Sequence, residues 1–210
     1  MIGIGIGMPL GGRGGGGASP GTIDPVSFGG ASATTVVPTG VLAGDLLVGF
    51  AMKTTVTAPT HDPVGGALIA AYSSNGSSAN IFWKYAEDDT PDFGTHIGAG
   101  RCQWAAYRFS APPASPIGAF ARSAANTSLV MGWAGLTLTK LGSHVITVGF
   151  RAADEAITDR TGAVAAGTAS GVSTRFKPMR SNGAVTAWAA ENVAQLVSGY
   201  HQSIAIEIGY

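Results

Sequence analysis

The sequence predicts an all-β protein: an antiparallel β-sandwich, jelly-roll-like, with an extended glycine-rich N-terminal arm. Three observations predict it. Short apolar runs, rich in β-branched and aromatic residues and bounded by Gly, Pro, Asn and Ser, recur along the chain. Two of these runs nearly repeat each other 100 positions apart: Gly44-Asp45-Leu46-Leu47-Val48-Gly49-Phe50 and, after Gly142-Ser143, His144-Val145-Ile146-Thr147-Val148-Gly149-Phe150. Both close on Val-Gly-Phe, and both read as inner strands of one sandwich. Glycine, 32 of 210 residues, stands at about double the usual ~7%. That level suits turns and extended segments and disfavours helix interiors.

The arm is residues 1–21 and the sandwich domain residues 22–210. In the arm, Ile2, Ile4 and Ile6 alternate with Gly3, Gly5 and Gly7, followed by Met8, Leu10 and the run Gly11-Gly12-Arg13-Gly14-Gly15-Gly16-Gly17. Isoleucine at every second position puts three side chains on one face of an extended strand. Glycine on the other face lets another backbone approach closely. Such a segment cannot offset its ordering entropy alone. It is expected to order on a partner, by adding a strand to a neighbour's sheet edge. Ile2, Ile4, Ile6, Met8, Leu10 and Arg13 are its candidate partner-binding residues, Arg13 as a clamp for a neighbouring carboxylate. No Lys-Ser/Thr follows the glycines, so a phosphate-binding loop is set aside.

Roughly eleven strands are expected in the domain, at the spacing of a sandwich or barrel. The first is 34–37, stopped by Pro38; 46–53 and 67–72 follow. Asn75-Gly76 is the hairpin signal that returns the chain into 81–85. There, Ile81, Trp83 and Tyr85 are assigned to the core and Phe82 and Lys84 to the other face. The next strand is 103–109, with Trp104, Ala106 and Arg108 on one side and Ala105, Tyr107 and Phe109 on the other. Ala111-Pro112-Pro113-Ala114-Ser115-Pro116 breaks pairing and marks a crossover between sheets. Later strands are placed at 128–133, 145–151, 171–176, 184–188 and 203–208. Short helices are considered at 152–158 and 189–196, on helix-forming composition.

Composition narrows the function classes. Hydrophobic residues make up 45% of the chain, ample for a core, and charged residues only 11%, against a usual ~25%. Twelve basic residues balance twelve acidic ones. A neutral chain has no electrostatic drive toward nucleic acid or an anionic membrane, and little charge repulsion opposing assembly. No run reaches the ~18 apolar residues of a membrane span. Residues 1–10 lack the basic start and cleavage pattern of a signal peptide, which points to cytoplasmic synthesis. The single Cys102 excludes an internal disulfide and reads as a buried apolar residue.

Candidate chemistry is thin. Glu87, Asp88, Asp89 and Asp92 cluster oxygens that a Ca²⁺ ion would accept, but without the spacing of an EF-hand, and a solvated loop is the favoured reading. Asp154, Glu155 and Asp159 are read the same way. Paired carboxylates would also serve a glycosidase, yet nothing in the sequence aims them at one cleft. His61, His96, His144 and His201 show no metal-ligand spacing. No Gly-x-Ser-x-Gly elbow supplies a nucleophile. No catalytic residue, metal ligand or cofactor is therefore assigned. Trp83, Trp104, Trp133 and Trp188 lie in strand-like runs; they are core residues by default and, as the alternative, a platform for stacking a sugar.

Four segments taken in order carry a resemblance: Gly44 to Val48, then Ile81-Phe82-Trp83-Lys84-Tyr85-Ala86, then Ala105-Ala106-Tyr107-Arg108-Phe109 before the proline-rich crossover, then His144 to Val148. This order is similar to β-sandwich proteins encoded among the structural genes of tailed phages and related gene transfer agents, and the opening Met1 to Gly7 also looks like the start of such virion proteins. The resemblance spans most of residues 40–210. It departs after the first strand, where Thr60-His61-Asp62-Pro63 stands in place of the usual glycine-tryptophan. It implies a non-enzymatic head decoration, head spike or tail-associated fibre protein, made in the bacterial cytoplasm and resident in the virion. It also implies capsid or tail proteins as partners and a homo-oligomer, a trimer among the expected forms. The alternative is a carbohydrate-binding module that recognises a host surface glycan.

Overall fold

The computed structural model describes residues 21–29, 39–53, 60–62, 66–74, 77–91, 95–97, 101–124, 127–151, 156–166, 175–196 and 198–210. Among them there is no helix and all strand pairing is antiparallel. The fourteen strands are β1 Ile23–Gly29, β2 Leu46–Lys53, β3 Thr60–Asp62, β4 Ala67–Ser74, β5 Ser77–Tyr85, β6 Thr95–Ile97, β7 Arg101–Phe109, β8 Ile117–Arg122, β9 Val130–Trp133, β10 His144–Arg151, β11 Ala163–Ala165, β12 Arg175–Ser181, β13 Glu191–Ala194 and β14 His201–Ile208. They form two five-stranded sheets, β1-β7-β2-β5-β4 and β11-β12-β10-β14-β8, and two ribbons, β13-β9 and β3-β6.

Each large sheet is one contiguous part of the chain, and the chain passes between them through the proline-rich stretch after β7. The two sheets also share one strand order. Naming the five strands of each half a to e in chain order, both read a-e-b-d-c. The two Val-Gly-Phe runs are strand b, at the centre of each sheet. The registers match as well: Phe50 lies opposite Gln103 and Phe150 opposite Gln202, while Ile23 faces Phe109 and Ile117 faces Ile208. Strand a has a register irregularity in both halves. Tyr107, beside the start of β2, touches the ring of His144, the start of β10, at 6.2 Å, so both central strands begin at the same end. Phe28 of β1 lies under Arg180 of β12, and Tyr85 of β5 bonds Pro113, just before β8. Edge strand a of one half therefore lies over the c–d side of the other, as a two-fold axis parallel to the strands would place it.

The inter-sheet core follows from alternation. Leu46, Val48, Phe50 and Met52 of β2 meet Ile146, Val148 and Phe150 of β10 and Ile204, Ile206 and Ile208 of β14. Fully burying each such side chain contributes ~1.5–3 kcal/mol. Ile81, Trp83 and Tyr85 belong to this core as expected. The opposite face is buried too: Phe82 joins Leu47, Trp104 and Ala106 in a second cluster. A Cβ on Gly49 would lie 2.1 Å from the Phe82 ring, so glycine at the heart of β2 makes room for that ring. On the second sheet Gly149 does the same for Trp133 and Met131 of β9, at 2.5 and 2.6 Å. The β9–β13 ribbon thus forms a third layer, tied down where Ser203 Oγ accepts from Ala134 N (2.7 Å) and donates to Gly132 O (3.0 Å).

Several expectations are corrected. Residues 189–196 are not a helix: Glu191–Ala194 is β13, alternating in burial and paired with β9, so tertiary pairing overrides helix-forming composition. Residues 156–158 are not helical, and 152–155 lie outside the described residues, as does the strand expected at 34–37. At 184–188 there is only a bridge between Trp188 and Leu136. Of the strand expected at 171–176, residues 171–174 lie outside the described residues, and β12 covers Arg175–Ser181, through Pro178; the strand expected at 128–133 is Val130–Trp133. The arm lies outside the described residues up to Gly21.

Candidate functional site

The candidate site is the end of the sandwich where the described chain enters β1 at Gly21 and Thr22. Thr22 N donates to Ser110 Oγ (3.0 Å), and Ser110 N donates back to Thr22 O (3.0 Å). Tyr210 Oη donates to the same carbonyl at 2.9 Å and sits 3.0 Å from Ser110 Oγ. The Tyr210 ring packs edge-on against Phe109, centroids 5.2 Å apart. A Cβ on Gly21 would fall 2.3 Å from both Ser110 Oγ and Tyr210 Oη, so the junction is glycine-tight. Residues that follow β7 and β14, one strand from each sheet, therefore both hold Thr22. Nearby, Tyr85 Oη donates to Pro113 O at 2.5 Å, and burial together with Tyr210 pushes its pKa up to about 12.

Two turns flank this end, each leading into a central strand. Gly44 has φ +88° and Gly142 φ +62°, conformations that disfavour a side chain. Asp45, buried, accepts from Leu42 N (2.8 Å) and from Arg108 in a bidentate pair, Nε to Oδ1 at 2.8 Å and Nη2 to Oδ2 at 2.7 Å. In the second half the clamp is Glu207, fully buried. It accepts from Ala119 N, Thr139 N and Lys140 N, each at 2.8 Å, and from the hydroxyls of Thr139 (2.9 Å) and Ser143 (2.5 Å). Burial opposes its ionisation, but these donors outweigh that and hold its pKa at about 2. Leu42 and Leu141 project from the two turns, 53% and 65% exposed. β2 and β10 end at Lys53 and Arg151, at the opposite end of the sandwich.

The residues singled out in sequence scatter. Ile2, Ile4, Ile6, Met8, Leu10 and Arg13 lie outside the described residues. Trp104, Trp133 and Trp188 are 8%, 1% and 3% exposed and sit in three separate clusters, while Trp83 is partly buried against the inter-sheet core. Glu87, Asp88 and Asp89 are exposed, and Asp88 accepts from Thr90 N at 2.8 Å; Asp92 is not described. Asp159 pairs with Lys177. Among the described residues, no three His, Cys, Asp or Glu side chains gather as metal ligands. His144 and His201 are buried, with pKa lowered chiefly by that burial. His61 and His96 stand opposite each other in the β3–β6 register. Cys102 is buried, its thiol pushed up to about 12 by desolvation.

A cleft of about 320 Å³ opens between β8 and the β9–β13 ribbon. Arg122, Ser123, Asn192 and the backbone at Gly132 and Gly135 line it with Trp133, whose buried Nε1 has no hydrogen-bond partner. Sequence reasoning found neither this cleft nor the Tyr210–Ser110–Thr22 clasp. Both join residues about 60 to 190 positions apart, with no local motif to signal them.

No family model, curated protein or solved structure matches this chain.

Proposed function

We propose that this chain is a structural virion protein of a tailed phage or gene transfer agent. It is attached to the head or tail through its N-terminal arm and displays the sandwich outward. It acts by assembly, with no catalytic step and no cofactor. The observation that carries the reading is the clasp at the arm junction. Tyr210 and Ser110 fix Thr22 at one end of the body, so an arm docked on a particle would hold the whole sandwich in a set direction. The resemblance in the Gly44, Ile81, Ala105 and His144 segments supplies the class. Two five-stranded antiparallel sheets apposed over one core support the β-sandwich of that class. The test is deletion of residues 2–17: a folded sandwich that no longer joins the particle is expected, and unchanged incorporation refutes the anchoring role.

The alternative, recognition of a host glycan, finds its footing in the cleft beside β9. There Arg122, Ser123 and Asn192 offer polar groups beside Trp133, itself only 1% exposed. Glycan-array binding that is lost on Asn192→Ala would favour it.

A further inference from the structure

We propose that His144 is an acid-sensitive latch: on taking up a proton, its imidazole parts the two sheets beside the clasp and frees Thr22. This does not depend on the assembly reading above.

His144 opens β10 and is 6% exposed. Its register partner, Ile208 of β14, lines the inter-sheet core, so the imidazole points inward between the sheets. There it meets the ring of Tyr107 edge-on, centroids 6.2 Å apart. Tyr107 is fully buried, and neither its Oη nor His144 Nδ1 has a hydrogen-bond partner among the described residues. Arg180 of β12 lies opposite Ile146, another core residue, and so turns to the same inner face. Its guanidinium stands over Phe28 of β1 at 5.5 Å, and Phe28 packs edge-on against Tyr107 at 5.6 Å. Imidazole, phenol and guanidinium thus crowd one end of an apolar core.

A proton on His144 would be poorly received there. Burial keeps the Tyr107 phenol protonated, and Arg180 is already a cation. Among the described residues, the carboxylate whose charge favours the imidazolium is Asp24, exposed on β1 opposite Arg108. Glu207 of β14 turns to the other face of its sheet, where Ala119, Thr139, Lys140 and Ser143 occupy it. Burial, and after it Arg180, therefore hold the His144 pKa below the ordinary 6.5.

The clasp lies next door. Tyr107 precedes by two residues Phe109, whose ring packs on Tyr210, and Ile208 precedes Tyr210 itself by two. Pro25, just inside Thr22, lies opposite Tyr107. Tyr210 N donates to Leu141 O at 3.0 Å, which fastens the turn before His144 to the clasp tyrosine. A buried imidazolium without a paired acid has to be hydrated. Water admitted between β7 and β10 draws Tyr107 off His144, and with it the strand that ends in Phe109 and Ser110. The folded-state pKa is the lowered one, so the latch is fully closed above pH 6.5. Below that, opening gains up to tenfold for each pH unit.

The test uses the full chain. Amide hydrogen exchange, corrected for its intrinsic pH dependence, is followed in peptides covering Thr22 to Gly29 and Tyr107 to Ser110, from about pH 7.5 to about pH 5. Opening at this end is expected to rise about tenfold or more below pH 6.5. His144→Phe keeps an aromatic ring against Tyr107 and cannot titrate; it is expected to abolish the rise and leave protection at neutral pH intact. His201→Phe, at the opposite end beside Arg151, is expected to leave the rise in place. In the parent chain, the carbon-13 shifts of the His144 ring should report a neutral imidazole until well below pH 6.5. An imidazole that titrates at or above 6.5 in the folded parent overturns the proposal, whether or not His144→Phe folds. So does a rise in opening that persists in His144→Phe, or one that His201→Phe removes.

Discussion

Glu207→Gln probes the second-half clamp directly. The amide keeps one oxygen and replaces the other with an N–H₂ donor. If that donor takes the Oε2 position, it faces Ala119 N, itself a donor 2.8 Å away. If it takes the Oε1 position, it faces Lys140 N, also at 2.8 Å. Either way at least one backbone N–H loses its acceptor, at about 1–3 kcal/mol. The remaining bonds lose part of their charge assistance, roughly 1 kcal/mol in all. Thr139 is exposed, so water recovers part of its loss. The expected cost is about 3 kcal/mol at pH 7, or a melting temperature lowered by ~6–12 °C for a domain of this size. The pH dependence has a definite sign. The folded-state pKa, about 2, lies below the ordinary 4.5, so the carboxylate's contribution is complete above pH 4.5 and drains away as pH falls toward 2. The gap between parent and variant should close over that window in denaturant titrations run at successive pH values. A variant within ~0.5 kcal/mol of the parent at pH 7, or a gap constant down to pH 2, refutes the reasoning.

Gly118→Ala should reproduce that phenotype, since its Cβ would lie 2.2 Å from Glu207 Oε2; combining it with Glu207→Gln should cost little more than either alone, as a double-mutant cycle by denaturation would read. Gly49→Ala, with its Cβ driven into the Phe82 ring, should destabilise by about 1–3 kcal/mol in urea unfolding. Asp45→Ala removes both the Leu42 cap and the Arg108 partner from a buried position; about 2 kcal/mol is expected in the same assay, with Arg108→Ala costing less because Arg108 is 41% exposed. Cys102 should resist an aromatic disulfide reagent at pH 8 in the folded protein and react fully in denaturant, because burial holds its thiol near pKa 12.

The central strands were legible because burial on both faces leaves a plain apolar run, Leu46-Leu47-Val48 or Val145-Ile146-Thr147-Val148, with a turn glycine before it. The alternation in Ile81 to Tyr85 and Gln103 to Phe109 located faces correctly, and the prolines at 112, 113 and 116 located the crossing between sheets. What escaped notice was short or irregular. β1 contains Pro25 and a bulge, β8 contains Gly118, and β13 is written in helix formers whose pairing with β9 decides their state. The shared a-e-b-d-c order was hinted at by the twin Val-Gly-Phe runs, but only the pairing of distant strands reveals it. The same holds at the candidate site. Gly44-Asp45 announced a turn, yet Arg108 lies 63 positions away from Asp45 and Thr22 lies 188 away from Tyr210, distances over which side-chain pairing leaves no local pattern.

The central claim is that the arm is an assembly element that orders against protein while the sandwich faces outward. A cryo-EM reconstruction of the parent particle tests it most directly. The account predicts density for residues 2–17 running as an extended strand against another subunit, with the Thr22–Tyr210 end of the body turned toward the particle. Density for this chain with the arm free in solvent and the Lys53–Arg151 end attached would contradict it, as would particles that lack the chain altogether.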